Sequence, residues 1–253
     1  MGRKKKQARR RQRRRIALIT AGAGSALAVT VAAVRRRRTI AHENAVHADV
    51  GFMRAMHAAL RRDMTRMQAV APRLDRAENV PRTVDEGWDE FRDELVRHHD
   101  AEDRDLWPVL RNHLDAAGDL HEVDLMVEEH QQLLPAVAAV DDALADRHQV
   151  TAAAERLGEI LHRHLDHEER TIFPLLERHL SRREWRRFLL TERRRTPLRQ
   201  RPAFLTWVLD DASERDAAAV LAELPPPGRL VYRRVLRPRY AARHRWELEP
   251  ATT

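Results

Sequence analysis

Apolar residues recur at steps of three and four in four separate stretches between about residues 40 and 180. The first stretch, from about 42 to 71, carries a stripe of Val50, Met53, Leu60, Met64 and Met67. The second opens at Thr83-Val84-Asp85-Glu86, which reads as a helix cap, and continues through Phe91, Leu95, Leu106 and Val109. The third, from about 120 to 146, carries Val123, Val127, Leu133, Leu134 and Val137; the fourth, from about 151 to 178, carries Leu157, Leu161, Ile172 and Leu175. This 3.6-residue period predicts amphipathic helices, and no stretch sustains the period of two that a strand requires. The connections, around Pro72 to Pro81 and at Ala116-Ala117-Gly118-Asp119, are short. The fold class expected is therefore all-α, an up-down-up-down four-helix bundle over residues 40–180. Pro108 and Pro135 fall inside helical patterns, where kinks or early ends are expected.

Polar residues stand in the middle of these stripes. His98 and Glu102 lie between Leu95 and Leu106, and His164 and Glu168 lie between Leu161 and Ile172. His98–Pro108 and His164–Pro174 align without a gap as His-x-x-x-Glu, an acid, then an apolar-aromatic-proline end. A spacing of four puts the imidazole and the carboxylate on one face, a turn apart. His57, between Met53 and Leu60, and His130, between Val127 and Leu134, hold the same place on the first and third helices. Four histidines and two glutamates thus converge on the predicted core. Burying them without partners costs several kcal/mol per charge. Metal ions remove that conflict by accepting nitrogen lone pairs and neutralising carboxylates, and mixed imidazole–carboxylate ligation suits iron, with manganese or zinc as alternatives. The candidate metal ligands are His57, His98, Glu102, His130, His164 and Glu168. His99 and His167 sit rotated off the stripe and are expected to support the ligands from outside.

Composition adds limits. The 253 residues include 14 His, 8 Gly and no Cys, which excludes disulfides, thiolate metal sites and iron–sulfur clusters. Residues 1–38 hold fourteen positive charges and no acid, so the net +8 of the whole chain becomes −6 over residues 39–253. The basic character belongs to the N-terminus and does not mark the remainder as a nucleic-acid binder. Residues 16–34 carry no charge between basic flanks. As a helix they span about 28 Å at ~1.5 Å per residue, near the ~30 Å of a bilayer core. A membrane anchor is the expectation, and cytoplasmic localisation the alternative. A cleaved signal ending near Ala26-Leu27-Ala28 and a basic tail touching nucleic acid or anionic lipid also stay open. Residues 181–253 are basic and proline-punctuated. Helices are expected near 202–210, 213–223 and 229–245, as an extension packed on the bundle.

The chain resembles the hemerythrin-like, HHE cation-binding family over residues 45–180. The resemblance rests on Met56-His57-Ala58-Ala59-Leu60, His98/Glu102 ahead of Leu106-Trp107-Pro108, Glu129-His130 with Leu133 and Leu134, and His164/Glu168 ahead of Ile172-Phe173-Pro174. It implies a four-helix bundle around a non-haem di-iron centre. On that basis His57, His98, His130 and His164 are terminal ligands, and Glu102 and Glu168 bridge. Oxygen-carrying members use five histidines and two carboxylates, with His-x-x-x-His on the third helix. Here Leu134 and Met126 flank His130 at four residues, which matches the subset with four His and two Glu. The resemblance implies binding of O2 or another diatomic such as NO, for sensing, storage or iron handling. An enzyme acting on peroxide or nitric oxide, and a metal-stapled structural bundle, are the alternatives.

Overall fold

A computed structural model describes residues 47–248 apart from 78, 116 and 223; the uncharged stretch 16–34 lies outside the described residues. The described part is helical and holds no strand, only an isolated bridge between His47 and Ser181. Its helices are α1 (Gly51–Leu74), α2 (Arg82–Ala101), α3 (Trp107–Arg111), α4 (Ala117–Asp146), α5 (Val150–His179), α6 (Arg182–Arg195), α7 (Arg201–Val208), α8 (Glu214–Ala222), α9 (Pro226–Val231) and α10 (Arg237–Ala241). π-turns at Glu102–Leu106 and Tyr232–Leu236 join α2 to α3 and α9 to α10. None of the described helices is long and apolar enough to cross a membrane.

The four long elements pack pairwise: α4 along α5, α5 along α1, α1 beside α2, and α2–α3 against α4. Their apolar stripes form two clusters. One gathers Leu60, Met64, Phe91, Leu95, Leu133, Val137, Leu161 and Leu165. The other gathers Met53, Leu106, Trp107, Leu110, Met126, Ile172 and Phe173. Read along each helix, the polar residues singled out in the sequence fall between the two, so a polar layer divides an otherwise dry core.

Several boundaries differ from the sequence pattern. α1 begins at Gly51, because residues 47–50 are pinned in place: Ala48 N–H donates to Leu180 O, and Asp49 Oδ1 accepts from Gly51 N–H at 2.9 Å. Thr83 does not cap α2; Pro81 is the capping position, and the Thr83 hydroxyl instead donates to Glu247 O. Leu134 points outward, 57% exposed, while Met126 and Leu133 take the inward positions of α4. Neither Pro135 nor Pro174 ends its helix. Pro108 is accommodated differently. A proline lacks the N–H and its ring crowds the preceding turn, and the π-turn widens the chain just ahead of it, with Trp107 N–H reaching Glu102 O. Pro238 follows the second π-turn in the same way. The widened turn also moves the inward position from Val109 to Leu110.

α5 starts without a cap of its own, at Gln149 with φ 58°. Asp75, just past α1, supplies one: its carboxylate accepts from Val150 N–H at 2.7 Å and Thr151 N–H at 3.2 Å. α6 was not evident from periodicity, yet Ser181 and Glu184 form a complete capping box at its start. Beyond it the extension returns to α1. Trp207 is fully buried and its indole N–H donates to the buried Asp63 at 2.7 Å. Arg66 holds Asp210 at 2.7 Å and Asp211 at 2.8 Å. Trp246 closes over α2 at Gly87, where an added Cβ would lie 2.7 Å from its ring. Gly87→Ala is accordingly expected to displace Trp246 and destabilise the protein by about 1–3 kcal/mol. Urea unfolding and tryptophan emission check this; an unchanged midpoint would contradict the packing.

Candidate metal centre

Each long helix contributes to the polar layer because its stripe places one turn there. α1 brings His57, α2 brings His98 and His99, the first residue of the π-turn is Glu102, α4 brings His130, and α5 brings His164 and Glu168. All seven are buried. The six residues expected from the sequence therefore do meet. Their ligand atoms fall into two sets, one of His57, His98, Glu102 and Glu168 and one of His99, His130 and His164, each set within 4.8 Å.

The glutamates link the sets. Glu102 Oε1 lies 3.3 Å from His98 Nε2, and its Oε2 lies 3.6 Å from His130 Nε2. Glu168 Oε2 lies 3.1 Å from His57 Nε2 and 3.9 Å from His164 Nε2. The imidazoles crowd each other as well: His99 stacks on His130 at 4.2 Å, and His130 meets His164 edge-on at 4.8 Å.

His99 corrects the sequence expectation. It is not rotated away but stands in the second set, raising the histidine count from four to five. The signal was present in the repeat. An offset of 66 maps His99 onto Leu165, which is fully buried, so the inward stripe at this level is two residues wide. His167 stays outside, as a neighbour of the ligand candidates.

Three histidines are held by carboxylates behind them. Nδ1 donates to Glu169 Oε1 from His57, to Asp103 Oδ1 from His130 and to Glu129 Oε2 from His164, each at 2.9 Å. Carboxylates only accept, so each Nδ1 carries a proton, and in the neutral ring each Nε2 is a lone pair. Arg61 fixes Glu169 at 2.5 Å, and His167 donates to Glu129 Oε1 at 2.8 Å. Of these five outer groups only His167 was expected from the sequence; the other four were not, since charged residues on an exposed flank have no distinctive spacing.

The inner atoms have no hydrogen-bond partner. Nε2 of His57, His98, His99, His130 and His164, and both oxygens of Glu102 and of Glu168, are buried and unsatisfied. Buried polar atoms are otherwise almost always paired. Nine unsatisfied donors or acceptors around one point fit a pair of cations, and no combination of the surrounding apolar residues could satisfy them.

The charges lead to the same requirement. Burial drives the Glu102 carboxyl well above its ordinary value, and the negative charges of Glu168 and Asp103 add to this. Glu168 is opposed by burial too, but His57, His164 and His98 draw it down to about 2. Burial pulls His98 and His99 well below 6.5, helped by the neighbouring imidazoles, and lowers His164 against the pull of Glu129 and Glu168. For His57 burial is outweighed by Glu168 and Glu169, and its value rises. Without cations, burial favours the neutral form of Glu102 while the imidazoles favour the charged form of Glu168.

The hemerythrin HHE cation-binding domain matches residues 48–176, just over half of the chain. The chain belongs to this family. No curated protein and no solved structure gave a match. The hemerythrin match spans α1 to α5 and contains the whole polar layer; α6 to α10 lie beyond it. Membership makes this a cation-binding domain, and the two His/Glu sets are where such a domain could hold its metal.

Acid should destabilise the metal-free hemerythrin domain well before ordinary carboxylates titrate. His98, His99 and His164 stay neutral in the fold below 6.5, where the unfolded chain takes up protons, so the unfolded state gains as pH falls. Glu102 acts oppositely, keeping its proton above 4.5 in the fold, and the contribution of His57 is already complete below 6.5. Within the layer three groups oppose one between pH 6.5 and 4.5; outside it Glu94, raised to about 7 by burial, sides with Glu102, which leaves three against two. Below pH 4.5, the depressed Glu168 adds a further loss. The melting temperature of metal-free protein is expected to drop from pH 7 to pH 5, and a constant or rising value would refute the assignment of neutral buried histidines.

Proposed function

We propose that this is a di-iron protein that binds O2 or another small diatomic ligand, built on a four-helix bundle in up-down-up-down order formed by α1, α2–α3, α4 and α5. The observation that carries the reading is the set of buried, unsatisfied nitrogen and oxygen atoms converging between the helices. His99, His130 and His164 would hold one metal ion and His57 and His98 the other, with Glu102 and Glu168 spanning both. Mixed imidazole and carboxylate donors suit iron, with manganese or zinc as substitutes. When bound, an iron pair supplies open coordination positions and redox electrons for a small ligand.

The chain's own residues bias where that ligand goes. Three imidazoles would serve one ion and two the other, so the set of His57 and His98 offers one nitrogen donor fewer. Phe173 packs against the His57 ring at 5.1 Å, and Arg54 covers the Phe173 ring at 5.1 Å. An apolar wall on the less crowded side favours a neutral diatomic over an ion. Glu169, Asp103 and Glu129 hold the imidazole planes fixed, which keeps the donor atoms in place whether or not a ligand is present.

One observation favours the second reading, an enzyme that consumes peroxide or nitric oxide. A hydrogen-bonded line runs from His164 through Glu129 and His167 to Glu122, whose Oε2 lies 2.9 Å from His167 Nε2. Glu122 is half-buried at the surface, so this line offers protons a path that reversible binding does not need.

Anaerobic loading with ferrous iron should give two irons per chain. His130→Ala or His98→Ala should each lower that number, and Glu168→Ala should lower it further, because Glu168 serves both ions; metal analysis provides the check. Exposure of the loaded protein to O2 or NO should give a ligand-dependent visible spectrum. Full iron content without any such spectrum would support a structural staple instead. Peroxide consumption over many turnovers would support the enzyme. Glu129→Gln should weaken metal retention about 10–100-fold against a competing chelator, and retention equal to wild type would remove Glu129 from this role.

A further inference from the structure

The C-terminal helical segment has a buried face and an exposed one, and the exposed face has chemistry of its own. Tyr232, Leu236 and Tyr240 repeat every four residues and pack on the core beside Trp246. Tyr240 donates to Glu90 Oε2 at 3.0 Å, and the Arg245 guanidinium lies 4.5 Å over the Tyr240 ring and 2.9 Å from Glu90. These contacts fix which side of the segment looks outward.

On that outward side stand Leu230, Val231 and Val235, exposed by 58%, 48% and 37%. They are three of the five exposed large hydrophobic residues among the described residues. Between them stand Arg233, Arg234, Arg237 and Arg239, all exposed. Residues 224–246 contain seven arginines and no acid. Arg233, Arg234 and Arg239 form no ion pair among the described residues, whereas Arg229 is spent on the Leu224 and Ala222 carbonyls. The acids that come near, Glu90 and Asp210, sit with the buried face, against Tyr240 and Tyr232. Nothing in the described protein covers the exposed side.

We propose that the face formed by Leu230, Val231, Val235, Arg233, Arg234 and Arg239 docks on an anionic phospholipid surface. An amphipathic helix with aliphatic residues among arginines lies in the headgroup region, its apolar side chains entering the acyl boundary while the guanidinium groups meet phosphates. A nucleic acid would satisfy the arginines but not the aliphatic residues. A single-stranded nucleic acid also uses planar side chains for stacking, and the aromatic residues of this segment are turned inward: Tyr232 and Trp246 are buried and Tyr240 is half-buried. Each unpaired arginine contributes about five-fold to binding near an anionic surface. The interaction is independent of the metal layer and of residues 16–34.

The chain has no cysteine, so Val235→Cys in the full-length protein accepts a single environment-sensitive fluorophore. Phosphatidylcholine vesicles containing phosphatidylglycerol should brighten and blue-shift the probe, and pure phosphatidylcholine vesicles should not. Adding Arg233→Glu, Arg234→Glu and Arg239→Glu should weaken this response on the order of a hundredfold, with helical circular dichroism unchanged. Co-sedimentation with anionic vesicles while the probe stays unchanged would assign lipid binding to the basic N-terminal residues and overturn the proposal. Absence of any vesicle binding would overturn it as well. A probe that responds to duplex DNA and not to vesicles would assign the face to nucleic acid and overturn the lipid reading.

Discussion

The arrangement of this protein turns on the burial of five imidazoles and two carboxylates in one layer of an apolar core. Each group forfeits its water, and the inner atoms find no protein partner in exchange. A layer of that kind is tolerable only with compensating positive charge, because two inner glutamates cannot both ionise in a dry interior unaided. The cation-binding character shown by family membership and the electrostatics of the layer are therefore two views of one requirement.

Much of the remaining structure serves to hold that layer in register. The apolar clusters above and below it fix the helix spacing, and the outer carboxylates fix the imidazole planes. Asp75 ties the end of α1 to the start of α5, the two helices that carry His57 and the His164–Glu168 pair. The extension adds a further brace. Trp207 is anchored on Asp63, two turns along α1 from His57, and Arg195 and Glu192 of α6 pair with Asp105 and Arg104 in the π-turn that begins at Glu102. Side chains outside the matched domain thus hold side chains of the elements that carry the ligand candidates.

The repeat between His98–Pro108 and His164–Pro174 shares a residue pattern and differs in shape. The first copy opens into a π-turn ahead of its proline, while the second stays α-helical through Pro174. The first copy also carries His99 where the second carries Leu165. Two segments of one pattern consequently give an asymmetric centre, with three histidines on one side and two on the other.

The helical stripes and the inward placement of His57, His98, Glu102, His130, His164 and Glu168 were legible in the chain, because burial of a helix face imposes a short-range period that any single strand of letters displays. So was the family, through residues at fixed local spacing. His99 was missed although Leu165 pointed to it, since a period read as one residue wide cannot tell an adjacent inward position from a flank. The carboxylates Glu169, Asp103 and Glu129 carried no such mark: each acts on a histidine of another helix, 27 to 112 positions away. The same holds for Asp75 as a cap in trans and for Asp63 as the anchor of Trp207. Periodicity reports which way a side chain faces, whereas a partner distant in sequence is chosen by how the helices pack, and that choice leaves no local trace.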